Sequence, residues 1–488
     1  MFSQRVQAQK QRNPCLSDLY EFLQQPGPSN DRSRIVCLER FGQSSPPAIR
    51  DISVKSLNSE LQQSWNTANT TTRTDRGGRI LLVEDASKYT IEILGSFFNI
   101  DPWFFASYVH QAWRKTSSQS PNNCSLPSRD KKQNSLSLQY HRIVTFEQKD
   151  TDVKSLTLNR NQPRKAVILP TMRGERIGLV QHGCSVLMVD GPGDEWTGIV
   201  LLDAPISDSY TASRNEGLSP VHLASKLFFG GTEDFTMTPT GGVHSRNGNP
   251  TTVTNRGMLD ELVHYWTEET PLVLTTPKPT VRDIAYYPLK MVAAEWVSYI
   301  AVMGMSVREY ELSTTLSGDL IAQLETLNAN LRILQGWRRR LLSTQAKLRR
   351  TLRFIENHVD RKQPSEDWDV LIDDFEFIRT GVAEHGEKLE AMVSVVTSTA
   401  ALIEGRRSLT ETENVTRLTV LAVVFLPLSY ISSLFSMADE FRPGGPRFWV
   451  YFAIAVPMAF MVGLIAKPPI STAKEVVERF GEKMAASV

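Results

Sequence analysis

Two uncharged apolar blocks close the chain. From Leu418 to Ala438, LTVLAVVFLPLSYISSLFSMA, and from Phe448 to Ala466, FWVYFAIAVPMAFMVGLIA, there is no Asp, Glu, Lys or Arg. At 21 and 19 residues, each is long enough as a helix, rising about 1.5 Å per residue, to cross roughly 30 Å of hydrocarbon. A buried helix pair in a soluble protein is the alternative, and core helices seldom stay uncharged on every face over such a length. Pro427 and Pro457 fit a membrane helix better than a soluble one, because neighbouring helices help to satisfy the freed carbonyls. The connection Ser436–Arg447 carries Asp439, Glu440, Arg442 and Arg447, and Gly444, Gly445 and Pro446 mark a tight turn, so a helical hairpin is expected.

Ahead of the hairpin the apolar pattern changes to an alternating spacing of three and four. Leu320, Leu324, Leu327, Leu331, Leu334, Leu341, Leu348, Leu352, Ile355 and Val359 follow it, with Arg338 and Gln345 as interruptions. Pro364 breaks the helix. The pattern resumes at Leu371, Phe375, Ile378, Val382, Leu389, Met392, Val396 and Ile403, with polar lapses at His385 and Thr399. No proline occurs from Ser365 to Leu426, so this second helix is expected to run into the first apolar block, over about 105 Å at 1.5 Å per residue. From heptads alone a dimerising coiled coil and a stalk are equally open. Continuity into the block favours a stalk, since an anchor needs only a flexible linker.

The first 300 or so residues alternate short apolar runs with Gly-, Pro-, Ser- and Thr-rich stretches. Strands are expected at Arg79–Asp85, His141–Phe146, Ala166–Pro170, Ile177–Asp190 and Trp196–Pro205, with a hairpin turn at Asp190–Asp194. A helix from Ile91 should end near Asn99, and Asp101 should cap another that opens on Pro102. Residues Thr67–Arg76, Arg114–Ser137 and Gly230–Gly257 read as polar loops, and Val281–Leu312 as a helix leading to the stalk. The fold class is thus an α/β cytosolic domain followed by long antiparallel stalk helices and a C-terminal two-helix transmembrane hairpin. The division expected is 1–78, a partly disordered N-terminal segment; 79–312, the α/β domain; 313–417, the stalk; 418–466, the hairpin; and 467–488, a cytosolic tail.

Composition narrows the function. Lys+Arg 54 against Asp+Glu 53 leaves a formal charge of +1 over 488 residues, so no global footprint for nucleic acid is visible. A mean hydropathy of −0.25 conceals the two apolar blocks. Lys and Arg flank the hairpin, at Arg406, Arg407 and Arg417 before it and at Lys467, Lys474, Arg479 and Lys483 after it, more densely than they occur in its loop. That bias predicts both termini in the cytosol. MFSQRVQAQKQRNP has no apolar core of a signal peptide, in keeping with residues 1–417 on the cytosolic side. Cys15, Cys37, Cys124 and Cys184 never fall at zinc-knuckle or redox-pair spacing, which fits a reducing environment.

Enzyme chemistry is not indicated. The histidines show no paired ligand spacing, Gly191-Pro192-Gly193 lacks the Lys-Ser/Thr of a phosphate loop, and no Gly-x-Ser-x-Gly elbow occurs. No enzymatic cofactor is expected. Asn69, Asn123 and Asn414 open glycosylation triplets, but all would lie on the cytosolic side.

The order of elements, together with LTVLAVVFLPLSYISSLFSMADE at Leu418–Glu440 and RILLVEDASKYTIEILGSFFNIDPWFFASYV at Arg79–Val109, resembles the CorA-type divalent cation transporters, the second stretch being similar to fungal members. The resemblance implies a homo-oligomer, five subunits around one pore in the bilayer, with the first span lining it and a Gly-Met-Asn motif at the outer mouth holding hydrated magnesium. Mg2+ is then the transported or regulatory ion. Here Ser436-Met437-Ala438 stands where that motif would lie, so the signature is degenerate. Magnesium sheds water reluctantly, and alanine methyls supply no carbonyl to its hydration shell. Asp439 and Glu440 follow at once, a candidate metal-attracting ring. Counting back from Ala438, Ser429, Leu426, Leu418 and Val415 match the family's pore-lining offsets, and Ser433 and Ser436 extend that face outward. Serines packed between helices are a common alternative. Leu418 and Val415 would make an apolar constriction able to gate by dewetting. Two functions stay open: a CorA-like channel or transporter gated through the cytosolic stalk, and a transport-inactive, membrane-tethered oligomeric scaffold.

Overall fold

The computed structural model describes residues 1–25, 31–41, 47–70, 78–110, 125–126, 128, 134–147, 155–191, 195–214, 217–228, 257–268, 279–313, 320–358, 366–436 and 447–466. In chain order these form α1 (Phe2–Lys10), α2 (Ser17–Gln24), β1 (Arg34–Phe41), β2 (Ala48–Ile52), α3 (Leu57–Thr70), β3 (Gly78–Glu84), α4 (Lys88–Phe97), α5 (Pro102–Val109), β4 (Ser135–Phe146), β5 (Ser155–Leu158), β6 (Lys165–Ile168), β7 (Arg176–Asp190), β8 (Trp196–Leu202), β9 (Ser209–Arg214), β10 (Gly217–His222) and β11 (Ser225–Leu227). Then come α6 (Met258–Glu268), α7 (Val281–Ser313), α8 (Leu320–His358), α9 (Glu366–Phe435) and α10 (Trp449–Ala466). The chain divides into two compact units: Met1–Thr315 with Ile333–Met392, and Leu316–Arg332 with Val393–Val488.

In the first unit the described strands form one sheet in the order β10-β9-β5-β6-β7-β8-β3-β1-β2, and β4 lies along β7 with β11 beyond it. Among the described strands only β3 and β8 pair in parallel. Both are apolar almost throughout because both faces are covered, whereas β4 alternates buried and half-buried positions. One core gathers Phe2, Val6, Leu16 and Leu19 from the N-terminal helices with Leu81, Val83, Ile91, Phe105 and Ile199. Residues 1–78 therefore add helices and two strands to this core, a contribution their sparse apolar pattern did not announce. Asp101 caps α5 as expected, its carboxylate accepting from Trp103 N at 3.0 Å. Gly78 is required by a close approach, since a Cβ there would lie 1.8 Å from the Trp196 ring.

A buried ion pair ties sheet to loop. Arg164 Nε and Nη2 donate to Asp203 at 2.7 and 2.9 Å, and Gly183 N donates to the same carboxylate at 2.6 Å. Burial opposes the charge of Arg164, yet Asp203 outweighs it and holds the guanidinium above its ordinary value. Behind the sheet, Arg142 on β4 donates to Glu295 on α7 at 2.9 Å.

The stalk helices of this unit run antiparallel, as expected. Arg338 on α8 meets Glu390 on α9 at 2.7 Å, and a Cβ on Gly386 of α9 would lie 2.8 Å from Leu341 of α8. Leu334, Leu341, Leu348, Leu352 and Ile355 are buried, and so are Leu371, Phe375, Ile378, Val382, Leu389 and Met392. The polar lapse at His385 has a physical reason: its ring lies over Gly304 of α7, where a Cβ would come within 2.9 Å.

One carboxyl at the end of β3 yields a pH prediction. Burial, its main cause, with Asp260 and Asp85 adding, pushes Glu84 up to about 7 against the pull of Arg34 and Arg160. Its Oε2 is buried and, among the described residues, has no hydrogen-bond partner. The folded-state value lies above that of the unfolded chain, so the contribution of the neutral carboxyl is complete below the unfolded value of about 4.3 and is lost as pH rises through 7. Glu84→Gln is expected to gain stability over the parent chain between pH 5 and 7.5, by at most about 3 kcal/mol. Melting curves of both at the two pH values read this, and an equal difference at both would refute it.

Candidate ion-conducting hairpin

The second unit is built around residues 393–435 of α9 and α10. Val396 and Ile403 are buried, completing the resumed apolar pattern. Val395, Leu402 and Leu409, seven apart, are instead exposed at 60%, 69% and 67%. From Thr410 to Thr419 the surface is threonine-rich, and Thr412, Thr416 and Thr419 each donate a hydroxyl proton to the carbonyl four residues back, at 2.8 Å.

By length and composition the stretch Trp368–Phe435 of α9 is able to cross a membrane. Its companion is helical over Trp449–Ala466, and its described apolar part, Trp449–Val462, is shorter. Aromatic rings link the two helices: Phe435 of α9 meets Tyr451 of α10 edge-on at 6.0 Å, and within α10 Tyr451 meets Phe452 at 5.2 Å. Among the described residues of the two apolar blocks, Ile431 and Ala455 are buried.

Val415, Leu418 and Leu426 come together in an apolar groove of about 720 Å³, with Thr419, Ala422, Tyr430 and, from α10, Met458 and Val462. Leu418 and Leu426 are 67% and 72% exposed. Ser429, Ser433 and Ser436 are exposed outside that groove. Ser433 lies five turns from Val415, hence on the same side of the helix, whereas the buried Ile431 lies about 200° round from Ser433. By helical period the six residues Val415, Leu418, Leu426, Ser429, Ser433 and Ser436 thus lie on one side of α9, opposite Ile431. Met437, Ala438, Asp439 and Glu440 lie outside the described residues. Among the described residues no group of three or more His, Cys, Asp or Glu is arranged to hold a metal.

Residues 310–467 match the family described as CorA-like Mg2+ transporter protein. No curated protein matches the chain. Among solved structures it is similar to the CorA magnesium transporter from Methanocaldococcus jannaschii, at 10% identity and a TM-score of 0.36, over 88% of this chain and 96% of that one. It is also similar to the full-length CmaX protein, at 12% identity and a TM-score of 0.36, over 90% and 98% of the two chains. At that TM-score neither superposition defines the fold by itself. The family match thus falls on the stretch that holds the stalk helices and the apolar hairpin, residues 310–467.

Proposed function

We propose that the chain assembles with copies of itself, five by the family resemblance, and conducts divalent cations, Mg2+ foremost, through a pore lined by Val415, Leu418, Leu426, Ser429 and Ser433. The family match over residues 310–467 carries this reading. Two features support it. The apolar face of α9 and the seven-residue row Val395, Leu402 and Leu409 are exposed in a single chain, and both are the kind of surface a second copy covers. Asp439 and Glu440 then form a ring of charge at the outer mouth, beyond Ser436, Met437 and Ala438, and attract cations by field rather than by fit. Both termini face the cytosol, and the stalk couples the cytosolic domain to the constriction at Leu418 and Val415.

A transport-inactive, membrane-tethered scaffold is the second reading, favoured by the loss of Gly and Asn from the signature at Ser436 and Ala438. Purified protein in liposomes separates them. Divalent flux that Leu418→Asp alters supports conduction, whereas an oligomer by mass in mild detergent with no flux supports the scaffold. A monomer alone would sink both.

A further inference from the structure

Within the first unit the outer faces of the two stalk helices carry opposite charge. On α8, Arg339, Leu342, Ala346, Arg349 and Arg353 recur at spacings of three and four, away from the buried Leu341 and Leu348. On α9 the outer row is Asp369, Val370, Asp373, Phe377, Glu384 and Glu387. Leu342 is 67% exposed and Phe377 69%, so each row has an uncovered apolar residue. Among the described residues Arg339, Arg349 and Arg353 have no carboxylate partner, and Asp369, Asp373, Glu384 and Glu387 have no cationic one; the ion pairs here are Arg338 with Glu390 and Arg379 with Glu376. The two rows do not meet within one chain. Leu342 lies about 100° round α8 from Leu341, which faces Gly386, and Phe377 lies about 180° round α9 from Gly386.

The heights of these residues match. Arg338 on Glu390, and Leu341 against Gly386, set which positions of the antiparallel pair stand level. Followed along both helices, that register puts Arg339 level with Glu387, Arg349 with Phe377 and Arg353 with Asp373, each to within two residues, about 3 Å at 1.5 Å per residue. Rotation about an axis along the stalk keeps every residue at its height. In a ring the same three levels therefore hold between α8 of one copy and α9 of the next.

We propose that the basic outer face of α8 docks on the acidic outer face of α9 of a second copy, Arg339 to Glu387, Arg353 to Asp373, and Arg349 over the Phe377 ring. This deepens the assembly proposed above and rests on it, naming the surfaces by which copies meet in the first unit. The contact is heterologous, since each copy offers one face to the copy before it and the other to the copy after it, so it runs head to tail and closes as a ring. Exposed ion pairs add little affinity each. Their work is selection: matched charge fixes register and partner, and the guanidinium on the Phe377 ring adds a cation–π contact. Pairing α8 with α8 would set arginine against arginine, which disfavours a two-fold dimer through this face.

The test uses the full chain in mild detergent with Cys124→Ser, Cys15, Cys37 and Cys184 being buried. Copies carrying Arg339→Cys and copies carrying Glu387→Cys are co-expressed, disulfide-linked dimers are scored after mild oxidation, and the mass of the assembly is measured on the same samples. The mixture is expected to cross-link, and neither variant alone. Arg353→Glu in the first copy should lower the yield by about threefold at low ionic strength, where screening is weakest, and Asp373→Arg in the second should restore it. Links in the Arg339→Cys protein alone, a yield indifferent to the reversal, or a loss that Asp373→Arg does not rescue overturns the proposal. So does an oligomer by mass without mixed links, which would leave the assembly standing on other faces. A monomer by mass would sink the assembly and this interface together.

Discussion

Asp203→Ala is expected to lower the stability of the first unit by about 3–5 kcal/mol, because it leaves Arg164 charged and buried without its counter-ion. The side chains of the pair are 6% and 3% exposed, and Asp203 also accepts from Gly183 N, so two donors lose their acceptor together. Water cannot easily replace it. Arg164 Nη2 keeps only its bond to Tyr108 O, at 2.9 Å. Asp203→Asn preserves shape and one acceptor oxygen and should cost less, while Arg164→Met combined with Asp203→Leu should cost less than Asp203→Ala alone, since no charge is then stranded. Thermal melts of the four proteins measure the order. A loss below about 1 kcal/mol for Asp203→Ala would mean that solvent reaches the pair.

Asp439→Asn with Glu440→Gln is expected to cut divalent flux into liposomes by about tenfold at 0.01 M ionic strength, where a charged mouth concentrates cations. At 0.1 M the loss should shrink to roughly twofold, because the Debye length falls from about 30 Å to about 10 Å. Ala438 has no charge, so Ala438→Ser should leave this salt dependence in place. Restoring the family signature with Ser436→Gly and Ala438→Asn should raise the preference for Mg2+ over Ca2+, since amide carbonyls then face the hydration shell. Flux insensitive to the neutralised pair at low salt would dismiss the acidic ring. Absent flux in the parent and the restored chain alike would leave the scaffold.

The long-range pattern of this protein is legible in its sequence where hydrophobic burial alone decides the structure. The uninterrupted stretch after Pro364 predicts a helix of about 105 Å, and α9 is 70 residues long, beginning at Glu366. The buried strands β3 and β8 were equally plain, being apolar on both faces. Less was visible where tertiary neighbours do the work. The α1 segment FSQRVQAQK offers only Phe2 and Val6, one turn apart, and becomes a helix by docking them in the core. Leu136 alternates with polar residues at the edge of a stretch that read as a loop, and it is β4 that claims it through pairing with Val186 of β7. The candidate pore face follows from helical period, and so it could be drawn from sequence.

The threonine-rich stretch of α9 has a chemical polarity of its own. A hydroxyl has one proton to give and two lone pairs, and at Thr412, Thr416 and Thr419 the proton is already spent on the carbonyl of the preceding turn. What these side chains offer outward is therefore electron density without hydrogen. A hydrated cation turns its water hydrogens toward its surroundings, and a surface of pure acceptors receives them, whereas an anion's hydration shell finds no donor there. Three neutral side chains on one side of a helix can thus lean toward positive ions without a single carboxylate.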